Sequence, residues 1–164
     1  MLAFLSCPTE LKAVLKTAAP PYLYSGPSPV ASLATVKAGL QVNEARGDQL
    51  RARVHHLTHR ILDCLHEADV HTPNTSGYPV IEVPLARPHD IDDVGRYLFD
   101  NGIYVTMAAY PLVPMQEVGF RIQVTAANTD EQVDHLCDVL RSLTERFTLQ
   151  RDGAPLRVVE RGTR

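Results

Sequence analysis

Apolar residues recur along this chain in two rhythms, and the change from one to the other divides it. After Pro8-Thr9-Glu10, Leu11, Val14 and Leu15 repeat at helical spacing, with Lys12 and Lys16 four apart on the wet face. Pro20-Pro21 is predicted to end this helix, and the segment PPYLYSGPSP reads as irregular. Pro29 suits the first turn of a new helix, with Ser28 before it as N-cap. Leu33, Val36, Leu40 and Val42 carry that helix to about Ala45, and Gly47 marks a kink or a break. Leu50, Val54, Leu57, Ile61 and Leu65 continue the helical rhythm to about Ala68, so one face of this stretch is buried.

Beyond it the architecture changes. Residues 71–77 are rich in Thr, Pro, Asn, Ser and Gly and read as a loop. Val80 to Val83 is a strand between Pro79 and Pro84, a placement that suits a strand end or a sheet edge. Pro88 to Asn101 is an amphipathic helix with Ile91, Val94 and Leu98 inward and Gly102 as its stop. Strands follow at Ile103–Thr106 and Gly119–Thr125. Thr129 with Gln132 forms a capping box for a last helix from Asp130 to Phe147, with Val133, Leu136, Cys137, Leu140 and Leu143 inward. The order predicts an α+β fold. An N-terminal helical segment and a long connecting helix lead to a small C-terminal domain with a short, mainly antiparallel three-stranded sheet covered by helices. The expected boundaries are 1–27, a long kinked helix over 28–69, a small α+β domain over 70–149, and a poorly ordered polar tail over 150–164. The first part lacks strands for a core of its own and reads as a piece of something larger.

Composition narrows the function. At 164 residues there is room for one ordinary core and an appendage. A net charge of −3 argues against nucleic-acid and anionic-membrane partners, and no apolar run reaches membrane-spanning length. Cys7, Cys64 and Cys137 are scattered and odd in number, which fits neither a disulfide framework nor a CxxC metal knuckle. Cys64 and Cys137 fall on apolar helix faces as small core residues. A cytoplasmic location is expected. All three lysines, Lys12, Lys16 and Lys37, lie in the first quarter, so any Schiff-base chemistry within the chain has to use one of them.

Candidate chemistry is sparse. His55 and His59 stand four apart on a helix, a spacing that can bind a metal, but no carboxylate completes HExxH, and exposed helix histidines are the better reading. Asp90, Asp92 and Asp93 fall in a helix first turn, where the macrodipole stabilises them. Tyr24, Ser25 and Gly26, with Pro27-Ser28 before a helix start, offer hydroxyls and amides to a phosphate; spacing alone favours an ordinary capping turn. The remaining candidate is Arg121. In Gly119–Val124, Phe120, Ile122 and Val124 share one strand face and Arg121 takes the other. It lies between the stiff loop Tyr110-Pro111-Leu112-Val113-Pro114 and a capped helix start, a setting suited to gripping a carboxylate. From spacing alone, a solvated arginine on the outer face of a sheet is the commoner outcome.

Taken in order, the motifs resemble the C-terminal portion of the α-oxoamine synthases. These are pyridoxal-phosphate (PLP) enzymes of the aminotransferase class I/II superfamily, fold type I, a group that includes 8-amino-7-oxononanoate synthase and 2-amino-3-ketobutyrate CoA ligase. Phe4-Leu5-Ser6-Cys7-Pro8 with Glu10-Leu11 resembles the family's strand and helix after the cofactor lysine. Tyr24-Ser25-Gly26-Pro27-Ser28-Pro29 stands where an aromatic–Ser–Thr–x–x–Pro–Pro segment reaches the partner subunit's cofactor phosphate; Gly26 and Val30 depart from that pattern. Asn101-Gly102-Ile103-Tyr104-Val105 is similar to an NGVYV-type helix end, Tyr110-Pro111 with Val113-Pro114 to a YPxVP loop, and Phe120-Arg121-Ile122 with Ala126-Ala127-Asn128-Thr129 to LRIS…AAHT. Met115, Gln116 and Gln123 replace the small or hydroxyl residues usual nearby.

The resemblance implies that residues 1–27 end the large cofactor domain and 28–69 form the interdomain helix. It gives Arg121 the substrate carboxylate, and Tyr24, Ser25 and Gly26 a place at the cofactor phosphate across a homodimer interface. The implied reaction condenses an amino acid with an acyl thioester. The family's Schiff-base lysine would lie just upstream of Phe4, and Lys12 and Lys16 sit beyond the matching point. The chain alone is therefore expected to be catalytically incomplete, pairing with itself or with a polypeptide that carries the missing N-terminal half. A PLP-dependent aminotransferase fragment and a non-catalytic dimerisation or binding module are the alternatives.

Overall fold

The computed structural model describes residues 5–151; the expected strand residue Phe4 and most of the expected polar tail lie outside them. The chain separates into two compact units, Met1–Asp48 and Gln49–Arg164. Helices α1 (Thr9–Ala18) and α2 (Pro20–Leu23) precede the long helix α3 (Val30–Glu67). Pro20-Pro21 ends α1 as expected, but it also opens the four-residue turn α2, because proline's fixed φ suits a first helical position. Leu5–Pro8, expected to extend a strand, has no regular structure. Helix α3 leaves helical geometry at Arg46 (φ −147°, ψ 17°), one residue before the anticipated Gly47. In the first unit the apolar stripe stays open: Leu11, Val14, Leu33 and Leu40 are 45, 56, 52 and 58% exposed.

The second unit holds the core. The last turns of α3 bring Leu57, Ile61, Cys64 and Leu65 inward, all at most 3% exposed. The helix stops in a Schellman arrangement: Val70 N–H donates to the Leu65 carbonyl at 2.9 Å, with Asp69 at φ 55°. Strands β1 (Val80–Pro84), β2 (Thr106–Ala108) and β3 (Gly119–Gln123) form an antiparallel sheet in the order β1-β3-β2. Helix α4 (Ile91–Asp100) lies between β1 and β2 in sequence and buries Val94 and Leu98. It ends at Gly102, φ +77°, with Ile103 N–H donating to the Leu98 carbonyl at 2.9 Å. That closure uses Ile103, so β2 begins at Thr106 and not at Ile103.

Helix α5 (Asp130–Arg146) contributes Val133, Leu136, Leu140 and Leu143 to the same core. The sheet's inner face is Ile81, Val83, Phe120 and Ile122, from 0 to 5% exposed. After α5 the chain returns to the sheet: Leu149 bridges to Leu85, Ala86 N–H donates to the Thr148 carbonyl, and Gln150 N–H to that of Pro84. Among the described residues no helix is long and apolar enough to cross a membrane.

Candidate active site

The alternation in GFRIQV does what the sequence predicts. Phe120, Ile122 and Val124 are buried, and Arg121 takes the other face of the central strand, half-buried. The register sets Glu82 of β1 and Thr106 of β2 opposite Arg121, both exposed. Cross-strand neighbours share a face, so Glu82 and Thr106 flank Arg121 on the sheet's polar face. Its Nε is buried and has no hydrogen-bond partner. A buried N–H of a cation without an acceptor is costly, and a bound anion removes that cost.

The surroundings fix the strand. Gly119 pairs with Pro84, and a Cβ built on it would lie 2.1 Å from the Val83 carbonyl oxygen, so only glycine lets β1 and β3 meet there. Between β2 and β3, Leu112 N–H and Val113 N–H both donate to the Ala109 carbonyl, at 2.9 and 3.3 Å, and the Tyr110–Pro111 peptide is cis. Tyr110 and Leu112 at the loop tip are 64 and 86% exposed.

After β3 the chain is tied down residue by residue. Asn128 Oδ1 accepts from Thr125 N–H at 2.8 Å, Thr129 Oγ1 from Gln132 N–H at 3.2 Å, and Gln132 Oε1 from Thr129 N–H at 3.1 Å. This is the expected capping box. Two arginines of α3 grip the same turn. Arg53 donates to the Asn128 carbonyl at 3.1 Å and pairs with Asp130 at 2.8 Å; Arg60 pairs with Asp130 at 2.7 Å and with Asp134. The hydrogen bond from Arg53, with the charge of Arg60 beside it, holds the Asp130 carboxyl below the usual carboxylate range. Sequence reasoning did not pick out Arg53, Arg60 or Glu82. The seven-residue separation of the arginines, two turns on one face, was the available signal.

Tyr24, Ser25 and Gly26 lie in the first unit, Arg121 in the second. Tyr24 is 87% exposed, the Ser25 hydroxyl donates to the Tyr22 carbonyl at 3.5 Å, and a Cβ at Gly26 would meet nothing within 4 Å. Lys12, Lys16 and Lys37 are all exposed on helices. A cofactor aldehyde needs a lysine desolvated in a pocket, so the lysines present do not fit PLP's covalent anchor. The exposed His55 and His59 rings lie 3.9 Å apart, with His59 Nδ1 2.9 Å from the His55 carbonyl oxygen. Cys64 and Cys137 are free, buried and adjacent, with Cys64 Sγ 3.7 Å from the Cys137 carbonyl oxygen. The neighbouring Cys137 side chain and burial push the Cys64 thiol up. These thiols floor a concavity of about 430 Å³ edged by Arg60, Asp134 and Arg141, from which Arg121 is absent.

The fold matches part of the aminotransferase-type fold of PLP enzymes. A serine palmitoyltransferase from S. paucimobilis, solved with a bound PLP–myriocin aldimine, superposes with a TM-score of 0.72 at 18% identity, over 81% of this chain and 33% of that one. The chain belongs to the aminotransferase class I and II family, whose profile matches residues 2–140. Similar sequences include an 8-amino-7-oxononanoate synthase from Methylobacillus flagellatus, 32% identical over 87% of this chain and 36% of that protein. A 5-aminolevulinate synthase from Rhizobium meliloti is 33% identical over 84% and 32%. The chain thus spans about a third of the length of these curated relatives.

Proposed function

We propose that this chain is the C-terminal part of a PLP-dependent α-oxoamine synthase, an acyltransferase that condenses an amino acid with an acyl thioester. The observation that carries this reading is Arg121: a guanidinium on the polar face of the central strand, its Nε buried and unpaired. An amino acid's α-carboxylate supplies the missing acceptor, and the bidentate pairing fixes the orientation of the Cα substituents. The stiff YPLVP loop on one side and the capped start of α5 on the other keep the strand from shifting when the anion arrives. PLP, when bound in the complete enzyme, supplies the electron sink for a carbanion at the amino acid Cα. In that enzyme Tyr24, Ser25 and Gly26 would hold the cofactor phosphate across a homodimer interface.

Because the three lysines are exposed on helices, the covalent anchor comes from a portion of the enzyme outside this chain, and the chain alone is inactive. The open apolar stripe of the first unit is the surface that such a portion, or a second copy, covers. Three free thiols fit a cytosolic setting.

The test is a titration of the ¹⁵N-labelled full chain with glycine, read at the arginine Nε–Hε resonances. Saturable movement of the Arg121 signal is expected, and Arg121→Met should abolish glycine binding while backbone amide spectra stay native-like. Glycine that moves no arginine side chain, or binding that survives in the variant, overturns the assignment.

A further inference from the structure

We propose that Glu82 is a specificity-determining residue that makes the Arg121 site select monocarboxylates, such as amino acids with no second acidic group, over dicarboxylates. The inference rests on reading Arg121 as the carboxylate site. The antiparallel register places Glu82 directly opposite Arg121, so their Cβ atoms stand on one face roughly 5 Å apart. Among the described residues no ion pair joins the two side chains, although they are neighbours of opposite charge. Glu82 is exposed, while Arg121 is half-buried. The other residues that the register sets on this face, Val80, Pro84, Thr106, Ala108, Gly119 and Gln123, are uncharged. Glu82 therefore supplies the one negative charge that the strands place beside the guanidinium.

A ligand held at Arg121 by one carboxylate meets that charge with whatever it carries next. An α-ammonium or a neutral donor is attracted or tolerated. A second carboxylate about 6 Å from Glu82 is repelled, by a factor of about three with the dielectric of water and about ten with half of it. Charge within a Debye length acts whichever way the ligand's tail turns on the open face. Glu82 thus acts as a charge filter and forms no bond with the reacting atoms.

Butyrate and succinate, which share a four-carbon skeleton, test this at low ionic strength. Both are titrated into the full chain, Glu82→Gln and Arg121→Met, with the Arg121 Nε–Hε resonance as readout in the first two and backbone amides in all three. Glu82→Gln is expected to raise the succinate-to-butyrate affinity ratio by about three- to ten-fold. A ratio unchanged in Glu82→Gln, with both ligands lost in Arg121→Met, overturns the role of Glu82 and leaves Arg121 as the carboxylate site. Retention of both ligands by Arg121→Met overturns both.

Discussion

Gly119→Ala is the smallest change that tests whether the sheet is built as described. An ideal Cβ at Gly119 would stand 2.1 Å from the Val83 carbonyl oxygen, 2.8 Å from Pro84 Cα and 2.9 Å from the Val83 carbonyl carbon. All three atoms are backbone, so no rotamer change relieves the overlap, and β1 must retreat from β3 by about 1 Å to restore ordinary contact. A backbone displacement of that kind in a packed core costs about 3 kcal/mol, the upper end for added methyl groups. With a urea slope of about 2 kcal/mol per molar, the unfolding midpoint should fall by about 1.5 M. Gly95→Ala is the control. The nearest atoms to its Cβ belong to the flexible Met107 side chain, at 3.4 Å or more, and Gly95 lies inside helix α4. Replacing a glycine there should stabilise the protein by roughly 1 kcal/mol. The assay is urea unfolding followed by far-ultraviolet circular dichroism. A Gly119→Ala midpoint within about 0.2 M of wild type would refute the close approach of β1 and β3, and with it the register that sets Glu82 opposite Arg121.

The Asp130 carboxyl, held down by Arg53 and then by Arg60, gives a pH-dependent prediction. Because its folded pKa is below the ordinary 3.8, its stabilisation is complete above 3.8 and is lost as pH falls through the lower folded value. Asp130→Asn should therefore unfold at lower urea than wild type near neutral pH, and the gap should close as pH drops below 3.8; an equal gap in acid and at neutrality would contradict this. For the cofactor, mixing the chain with PLP and reducing with borohydride should leave no stoichiometric modification at any single lysine by mass spectrometry. A quantitative adduct at Lys12, Lys16 or Lys37 would overturn the claim that the anchor lies elsewhere.

Local chemistry made some elements readable in advance. The capping box at Thr129 and Gln132, the stop at Gly102 and the alternation around Arg121 each depend on residues a few positions apart. What was missed depends on distant partners. Glu82 matters because the register puts it against Arg121, thirty-nine residues later in the chain. Arg53 and Arg60 look like ordinary solvated helix cations until α5 brings Asp130 within 2.8 Å of both. The start of β2 moved because the close of α4 consumed Ile103, a competition that periodicity does not show. Arg121 itself was legible as an outward arginine; its orphaned Nε was not, since burial of one nitrogen depends on what packs around the strand.

The return of the chain after α5 has a consequence for where the protein can be cut. In the order β1-β3-β2, β1 is an outer strand. The pairing of Leu149 with Leu85, and of Thr148 and Gln150 with the flanking backbone, occupies peptide groups at the end of β1 that would otherwise face solvent. An open edge of this kind is a template for another molecule's strand. Residues 148–150 thus act as a selvedge, and a domain boundary drawn at the end of α5 would trade three residues for a sticky margin.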